Sequence, residues 1–225
     1  MKAVSEGFIE ALLIIIHFPS NLLKPFIYFD KINTKSTKKY PIVLVERWFS
    51  RNIFHLVAKK YLEHKGFKVY SLNYPMLKGT FEDSAENLAT FINKHQISDA
   101  ILIGISAGAT TCLEYVQFHN GWEKTHLFVS IGGSLNGSSL AKYFPISTSL
   151  RQLIPGSLFM KHLHSEKIEN LDKIITIRAK GDNMVPAKSS TLSGARNITI
   201  DVVGHNLLHT FWLPTYQLVR EFSKD

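Results

Sequence analysis

Three residues of this 225-residue chain have the types and positions that catalysis at a serine requires. Ser106 lies in the run Gly104-Ile105-Ser106-Ala107-Gly108, and Asp182 and His205 follow it along the chain. A serine hydroxyl is a weak nucleophile until a base takes its proton, and an imidazole oriented by a carboxylate is a suitable base. The residues therefore predict Ser106 as a nucleophile, His205 as its base and Asp182 as the orienting acid.

Each of these three residues stands at the end of a predicted strand. The apolar run Ala100 to Ile105 precedes Ser106, the run 173–182 ends in Asp182, and the run 197–205 ends in His205. A serine in the sharp turn between a strand and a helix is typical of a nucleophile elbow. In folds with such an elbow, the acid and then the histidine follow the serine along the chain. The plainer interpretation makes Asp182 a turn residue and His205 a helix cap, and it leaves their order to coincidence.

Strands and helices are predicted to alternate along most of the chain. Helical spacing of apolar residues separates short β-branched runs, which favours one α/β domain. The pattern predicts a mostly parallel central sheet of about six or more strands with helices on both faces. The predicted strands are 41–46, 67–72, 100–105, 126–133, 173–182 and 197–205, and the predicted helices are 52–66, 83–95, 107–119 and about 207–222.

One segment interrupts this alternation. Residues 134–170 are rich in serine and contain short apolar patches, and so long an excursion within a compact domain is usually functional or loosely ordered. We expect it to form a lid-like insertion over the strand ends, within a single domain of residues 25–225. The residues predicted to contact a substrate's acyl chain are Leu150, Leu153, Phe159 and Met160.

The first 24 residues form an apolar segment with two interpretations. The stretch 7–19 is interrupted by Glu10 and His17 and falls short of the roughly 20 residues that span a bilayer. It is predicted to be a helix that either packs on the domain or lies on a membrane surface. The predicted location is accordingly cytoplasmic or membrane-associated.

Charge and composition exclude several classes of function. The net charge of +8 is scattered, and no basic stripe interleaved with aromatic residues predicts a nucleic-acid partner. Cys112 is the single cysteine, and the pair His205 and His209 lacks a third metal ligand. We therefore expect no metal site.

Four runs together resemble the α/β-hydrolase superfamily, and more narrowly its small bacterial triacylglycerol lipase and esterase branch. They are PIVLVERWF, GISAGA, GDNMVP and VVGHNLLH, and the segment Ser147 to His164 is similar to a stretch of the same lipases. The resemblance covers Lys39 to Asp225. It implies an α/β-hydrolase fold and a triad of Ser106, Asp182 and His205 that acts through an acyl-enzyme without a cofactor.

The chain departs from this family at the end of the first strand. The family has His-Gly there, before a residue whose amide forms half of the oxyanion hole, whereas this chain has Glu46-Arg47-Trp48. By position, the amides of Trp48 and Ala107 would be the two donors. Arg47 is a candidate for binding a carboxylate or phosphate on the substrate.

Two functions follow from these features. The first is a serine hydrolase that cleaves carboxylic esters of small molecules or lipids. The alternative is a catalytically weak hydrolase-fold protein that binds a lipid or a partner protein, and the replaced His-Gly is its main support.

Overall fold

The computed structural model describes Glu6 and residues 36–48, 53–75, 78–210 and 213–222. Within these residues six strands form one sheet, in the order β2-β1-β3-β4-β5-β6, and every neighbouring pair is parallel. The predicted parallel sheet is therefore confirmed. The strands are β1 (Ile42–Trp48), β2 (Val69–Pro75), β3 (Ala100–Ile105), β4 (Thr125–Ile131), β5 (Ile174–Gly181) and β6 (Arg196–Val203).

Helices of the described residues cover both faces of the sheet. One apolar core holds side chains of α2, α3 and the insertion, and the other holds side chains of α1, α7 and α8. The described residues also contain three short 3-10 helices, at Gly121–Glu123, Ser139–Lys142 and Leu171–Lys173. The α-helices are α1 (Ile53–His64), α2 (Phe81–Lys94), α3 (Ala107–Phe118), α4 (Thr148–Gln152), α5 (Leu158–Leu163), α6 (Ala187–Ser190), α7 (His205–Thr210) and α8 (Leu213–Phe222).

The central strands explain why the sheet needs cover on both sides. All six residues of β3 are buried. In β1, Val43 and Val45 face one core, whereas Ile42 and Leu44 face the other. Side chains alternate between the faces of a strand, so near-continuous apolar runs are stable only between two layers of helices.

Two helices begin two residues earlier than predicted. Helix α2 begins at Phe81 rather than Asp83, because Thr80 and Asp83 form a capping box in which each side chain accepts a hydrogen bond from the other residue's amide. The closing helix begins at His205 and is described as two segments, α7 and α8.

The segment 134–170 contains one 3-10 helix and two short α-helices, α4 and α5. Its residues Leu153, Phe159, Met160 and Leu163 are buried in the same core as α2 and α3. The segment is therefore packed against the domain, and its role as a lid stays a prediction.

The predicted N-terminal helix lies outside the described residues except for Glu6. This residue is buried, and its Oε2 accepts a hydrogen bond of 3.0 Å from the amide of Val203. No helix in the described part of the chain is both long and apolar enough to cross a bilayer.

Candidate active site

Ser106 occupies the sharp turn between β3 and α3. Its backbone has φ 51° and ψ −126°, a left-handed conformation that is unfavourable for a residue with a side chain. The turn is held by hydrogen bonds, in which the Ser106 amide donates to the Ile131 carbonyl and the Ser106 carbonyl accepts from Ala109. The strain therefore persists at the residue predicted to be the nucleophile.

The two glycines of the turn allow close packing around Ser106. A Cβ on Gly104 would lie 2.4 Å from the Cα of Ala109, and one on Gly108 would lie 2.2 Å from the carbonyl oxygen of Val45. Neither backbone contact can be relieved by rotating a side chain. The glycines let α3 start directly against β1 and β3, which fixes the direction of the Ser106 hydroxyl.

His205 and Asp182 come from the loops that follow β6 and β5. The amide of Gly204 donates to the Gly181 carbonyl at 2.7 Å, which ties these two loops together beyond the last strand pair. From the end of β4, Gly132 leaves room for the imidazole, since a Cβ there would lie 3.2 Å from Cε1 of His205. Three neighbouring strand ends therefore position one histidine ring.

The side chains of the three predicted residues form a continuous hydrogen-bonded chain. Nε2 of His205 lies 2.9 Å from Oγ of Ser106, and Nδ1 lies 2.8 Å from Oδ2 of Asp182. The side chains of His205 and Asp182 are 2% and 3% exposed. Bulk water is thus largely excluded from the path along which a proton would move.

The surroundings of Asp182 favour its ionised form. Burial raises the pKa of this carboxyl, but hydrogen bonds from His205 and from the amides of Val185 and Met184 outweigh burial and lower the pKa overall. An ionised carboxylate only accepts hydrogen bonds, so Nδ1 of His205 carries a proton. The lone pair of Nε2 then faces the hydroxyl of Ser106, as a base requires.

A cavity of about 240 Å³ opens beside Ser106 and Ala107 and is lined almost entirely by apolar atoms. Leu150 and Leu153, two of the predicted substrate contacts, lie in its wall. The other lining residues are Ser134, Ser138, Leu140, Ala141, Phe144, Ile146, Met184 and Val185. Its chemistry suits a hydrocarbon group of a bound molecule.

Phe159 and Met160 are not among the residues that line this cavity, so their contact with a substrate stays a prediction. Both are buried in the core, where the ring of Phe159 stacks on Phe81 with centroids 5.2 Å apart. They face inward because α5 packs against α2 and α3. An apolar pattern cannot distinguish a core side chain from one in a cavity wall.

The predicted oxyanion-hole residues lie at two adjacent strand ends. Trp48 is the last residue of β1, which pairs with β3, and Ala107 is the first residue of α3. The side chains of Arg47 and Trp48 lie outside the described part of the structure. The neighbouring Glu46 is buried. The pKa of Tyr216 is raised, chiefly because this tyrosine is itself buried and secondly because of the charge of Glu46.

His209 does not replace His205 at the serine. Its ring packs edge-on against that of His205, with centroids 5.3 Å apart. Among the described residues, no group of three or more His, Cys, Asp or Glu side chains is arranged to hold a metal ion.

Several cavity residues were not predicted from sequence. Met184 and Val185 directly follow Asp182, so the loop that carries the acid also forms part of the wall. Phe144 and Ile146 flank Pro145 in the insertion. Their position between serine-rich stretches could have indicated a binding role, since neighbouring large apolar residues in a polar loop often mark a ligand or interaction site.

Comparison with solved structures finds the same fold in several proteins of low sequence similarity. The mature form of the Bacillus licheniformis lipase BlEst2 has a TM-score of 0.71 and 16% identity, covering 88% of this chain and 97% of that one. An extracellular α/β-hydrolase from a Paenibacillus species has a TM-score of 0.60 and 16% identity, covering 83% and 100%. An esterase from Exiguobacterium antarcticum has a TM-score of 0.59 and 15% identity, covering 84% and 93%. A scan against protein-family models and a search of curated proteins give no match.

Proposed function

Because the chain has the α/β-hydrolase fold, we propose that it is a serine hydrolase that cleaves carboxylic esters. The observation that carries this proposal is the hydrogen-bonded chain from Ser106 through His205 to Asp182. The apolar cavity beside Ser106 supports an ester with a hydrocarbon acyl group. The lipase and esterase neighbours agree with this choice of substrate class.

In the proposed first step, Oγ of Ser106 attacks the ester carbonyl carbon while Nε2 of His205 takes the hydroxyl proton. The carbonyl π electrons move to the oxygen, and the resulting oxyanion accepts hydrogen bonds from the amides of Trp48 and Ala107. When the tetrahedral intermediate collapses, the bond to the alcohol oxygen breaks and His205 returns the proton to the leaving alcohol. The acyl group remains on Ser106 as an ester.

In the second step, water attacks the acyl-enzyme and His205 takes a proton from it. The carboxylic acid leaves, and Ser106 regains its proton. Asp182 stays ionised throughout and stabilises the imidazolium that forms in each step. No cofactor is needed, because the protein groups carry every proton and bond that changes.

Arg47 is proposed to bind an anionic group of the substrate near the end of β1. A guanidinium pairs in a bidentate manner with carboxylate or phosphate, which matches esters that carry such a group. The same Glu46-Arg47 pair supports the alternative of a binding protein with weak catalysis, since it replaces the residues that usually shape an oxyanion loop.

Hydrolysis of p-nitrophenyl butyrate tests the proposal. The wild-type protein is expected to release p-nitrophenol, and Ser106→Ala is expected to lower kcat by at least about 10³-fold, because the nucleophile is lost. The control Ser193→Ala removes an exposed hydroxyl away from the site and should retain activity. Equal rates for wild type and Ser106→Ala would overturn the proposal and favour the binding alternative.

A further inference from the structure

The exposed apolar side chains of this protein are concentrated in the insertion. Six large hydrophobic residues are exposed in the described part of the chain, and five of them lie between positions 140 and 158. Their exposed fractions run from 37% to 86%. The sixth residue, Val57, is 39% exposed and lies apart from them, in α1. The five are Leu140, Tyr143, Phe144, Ile146 and Leu158. Scattered single residues would need no explanation, but such a cluster marks an interaction surface.

This cluster adjoins the opening of the active-site cavity. Leu140, Phe144 and Ile146 each line the cavity beside Ser106 while they also face solvent. Helix α4 contacts both the 3-10 helix at 139–142 and α5, where Leu158 is the first residue. The exposed residues at 140–146 therefore border the cavity mouth, and Leu158 lies on the helix that neighbours α4.

Every Asp, Glu, Lys or Arg within residues 124–165, the stretch that holds these apolar residues, is basic. No Asp or Glu occurs from residue 124 to residue 165, whereas Lys142, Arg151 and Lys161 are exposed within the insertion. Arg151 is held beside the apolar loop, since its guanidinium donates to the Pro145 carbonyl at 3.1 Å. One acid from a neighbouring helix, Glu82, reaches α4 and accepts a hydrogen bond from Gln152.

We propose that residues 139–161 form a surface that docks on an anionic lipid bilayer and brings the cavity mouth to the membrane. Exposed aromatic and aliphatic side chains enter the boundary between headgroups and acyl chains, and basic side chains bind anionic headgroups. A surface that binds a specific protein partner usually carries charges of both signs, which fix the orientation of the partner. Residues 124–165 contain no acidic residue. The inference deepens the proposed function, because an ester drawn from a bilayer could enter the cavity without crossing water.

Vesicle binding is measured with Ser106→Ala protein, so the result does not depend on hydrolysis. The probe is sedimentation with vesicles of phosphatidylcholine containing 30% phosphatidylglycerol, compared with pure phosphatidylcholine. Binding is expected to the anionic vesicles, to be weaker on the neutral ones, and to fall as salt is raised from 0.1 M to 0.5 M.

Two double variants separate the apolar and the charged contributions. Tyr143→Ser with Leu158→Ser removes two exposed side chains that do not line the cavity, and it is expected to weaken binding to both vesicle types at least ten-fold. Lys142→Gln with Lys161→Gln is expected to weaken binding to anionic vesicles alone, by about five-fold for each lysine. All four side chains are exposed, so the fold should be retained, and circular dichroism checks this.

Matched controls lie elsewhere on the molecule. Val57→Ser removes the exposed apolar side chain of α1, and Lys60→Gln with Lys94→Gln removes two exposed charges from α1 and α2. Both controls should bind like the parent protein. The proposal is overturned if no vesicle binding occurs, if the controls weaken it as much as the insertion variants, or if Tyr143→Ser with Leu158→Ser abolishes a dimer and leaves vesicle binding unchanged. Vesicle binding without ester hydrolysis would contradict the proposed function and leave the docking surface standing.

Discussion

Asp182 divides its two carboxylate oxygens between two tasks. Oδ1 accepts the amides of Met184 and Val185 at 2.9 and 2.8 Å, and Oδ2 faces Nδ1 of His205. The two amides fix the carboxylate in place, so Oδ2 cannot turn away from the imidazole. Asp182 thereby both stabilises its own turn and determines that Nδ1, rather than Nε2, of the neutral imidazole carries the proton.

Replacing Asp182 by Asn is expected to lower kcat about 10³- to 10⁴-fold. The amide oxygen would stay on the two backbone amides, so the NH₂ group would face Nδ1 and donate to it. The histidine would then carry its proton on Nε2 and could not accept the one from Ser106. The measurement is kcat for p-nitrophenyl butyrate across pH.

The control for this variant is Asp201→Asn. Asp201 lies on β6 with its side chain 70% exposed, where it pairs with Lys180, and such a surface pair contributes little. Its kcat should match the wild type. An Asp182→Asn protein with near-normal kcat would show that the carboxylate does not act on His205.

Helix α3 joins the active site to the insertion, since Ser106 caps its N-terminus and residues of the insertion pack along its side. Glu114 of α3 is buried, and its Oε1 lies 3.5 Å from Nε2 of His162 on α5. The pKa of Glu114 is raised from 4.5 to about 7, chiefly because the carboxyl is buried; the neighbouring His162 acts to lower this pKa, and the charge of Glu82 acts to raise it. Oε2 is buried without a hydrogen-bond partner among the described residues.

This buried carboxyl predicts a pH dependence of stability. The pKa of Glu114 is higher in the folded than in the unfolded state, so the folded protein binds the proton more tightly, and stability falls as pH rises from about 4.5 to about 7. Glu114→Gln has no such proton to lose. The stability of the variant relative to wild type is therefore expected to increase by about 3 kcal/mol between pH 4 and pH 8, measured by urea unfolding.

Glu123→Gln is the matched control, because Glu123 is an exposed acid in the 3-10 helix that follows α3. Its stability relative to wild type should stay constant over the same range. If the difference between Glu114→Gln and wild type is also constant with pH, the buried carboxyl does not carry the charge penalty assigned to it.

For the molecule as a whole, the chain order of the elements could be predicted well because local patterns specify them. The strand Ala100–Ile105, the Gly-x-Ser-x-Gly turn and the helix after it are each encoded within a few residues. The approach of His205 to Ser106 joins positions 99 residues apart, yet it too could be anticipated, since parallel strands bring their carboxyl ends to one edge.

The details that depend on three-dimensional packing could not be predicted. Phe159 and Met160 have the same apolar character as Leu150 and Leu153, and only tertiary packing decides that the last two line the cavity whereas the first two do not. The burial of Glu46 and Glu114 is equally invisible to sequence, because charged residues usually stay at the surface. In each case tertiary contacts, rather than local preference, decide where the side chain lies.

Labelling with a fluorophosphonate probe tests most directly whether the converging loops activate one hydroxyl. The account predicts a single adduct on the native protein, located by mass spectrometry at Ser106 within the tryptic peptide 95–124. No adduct should form when the protein is unfolded in urea before the probe is added, or when His205 is replaced, in the His205→Gln variant. Both the fold and the imidazole are needed to activate the Ser106 hydroxyl. Absence of the adduct in native protein, or equal labelling of native and unfolded chains, would contradict the central claim.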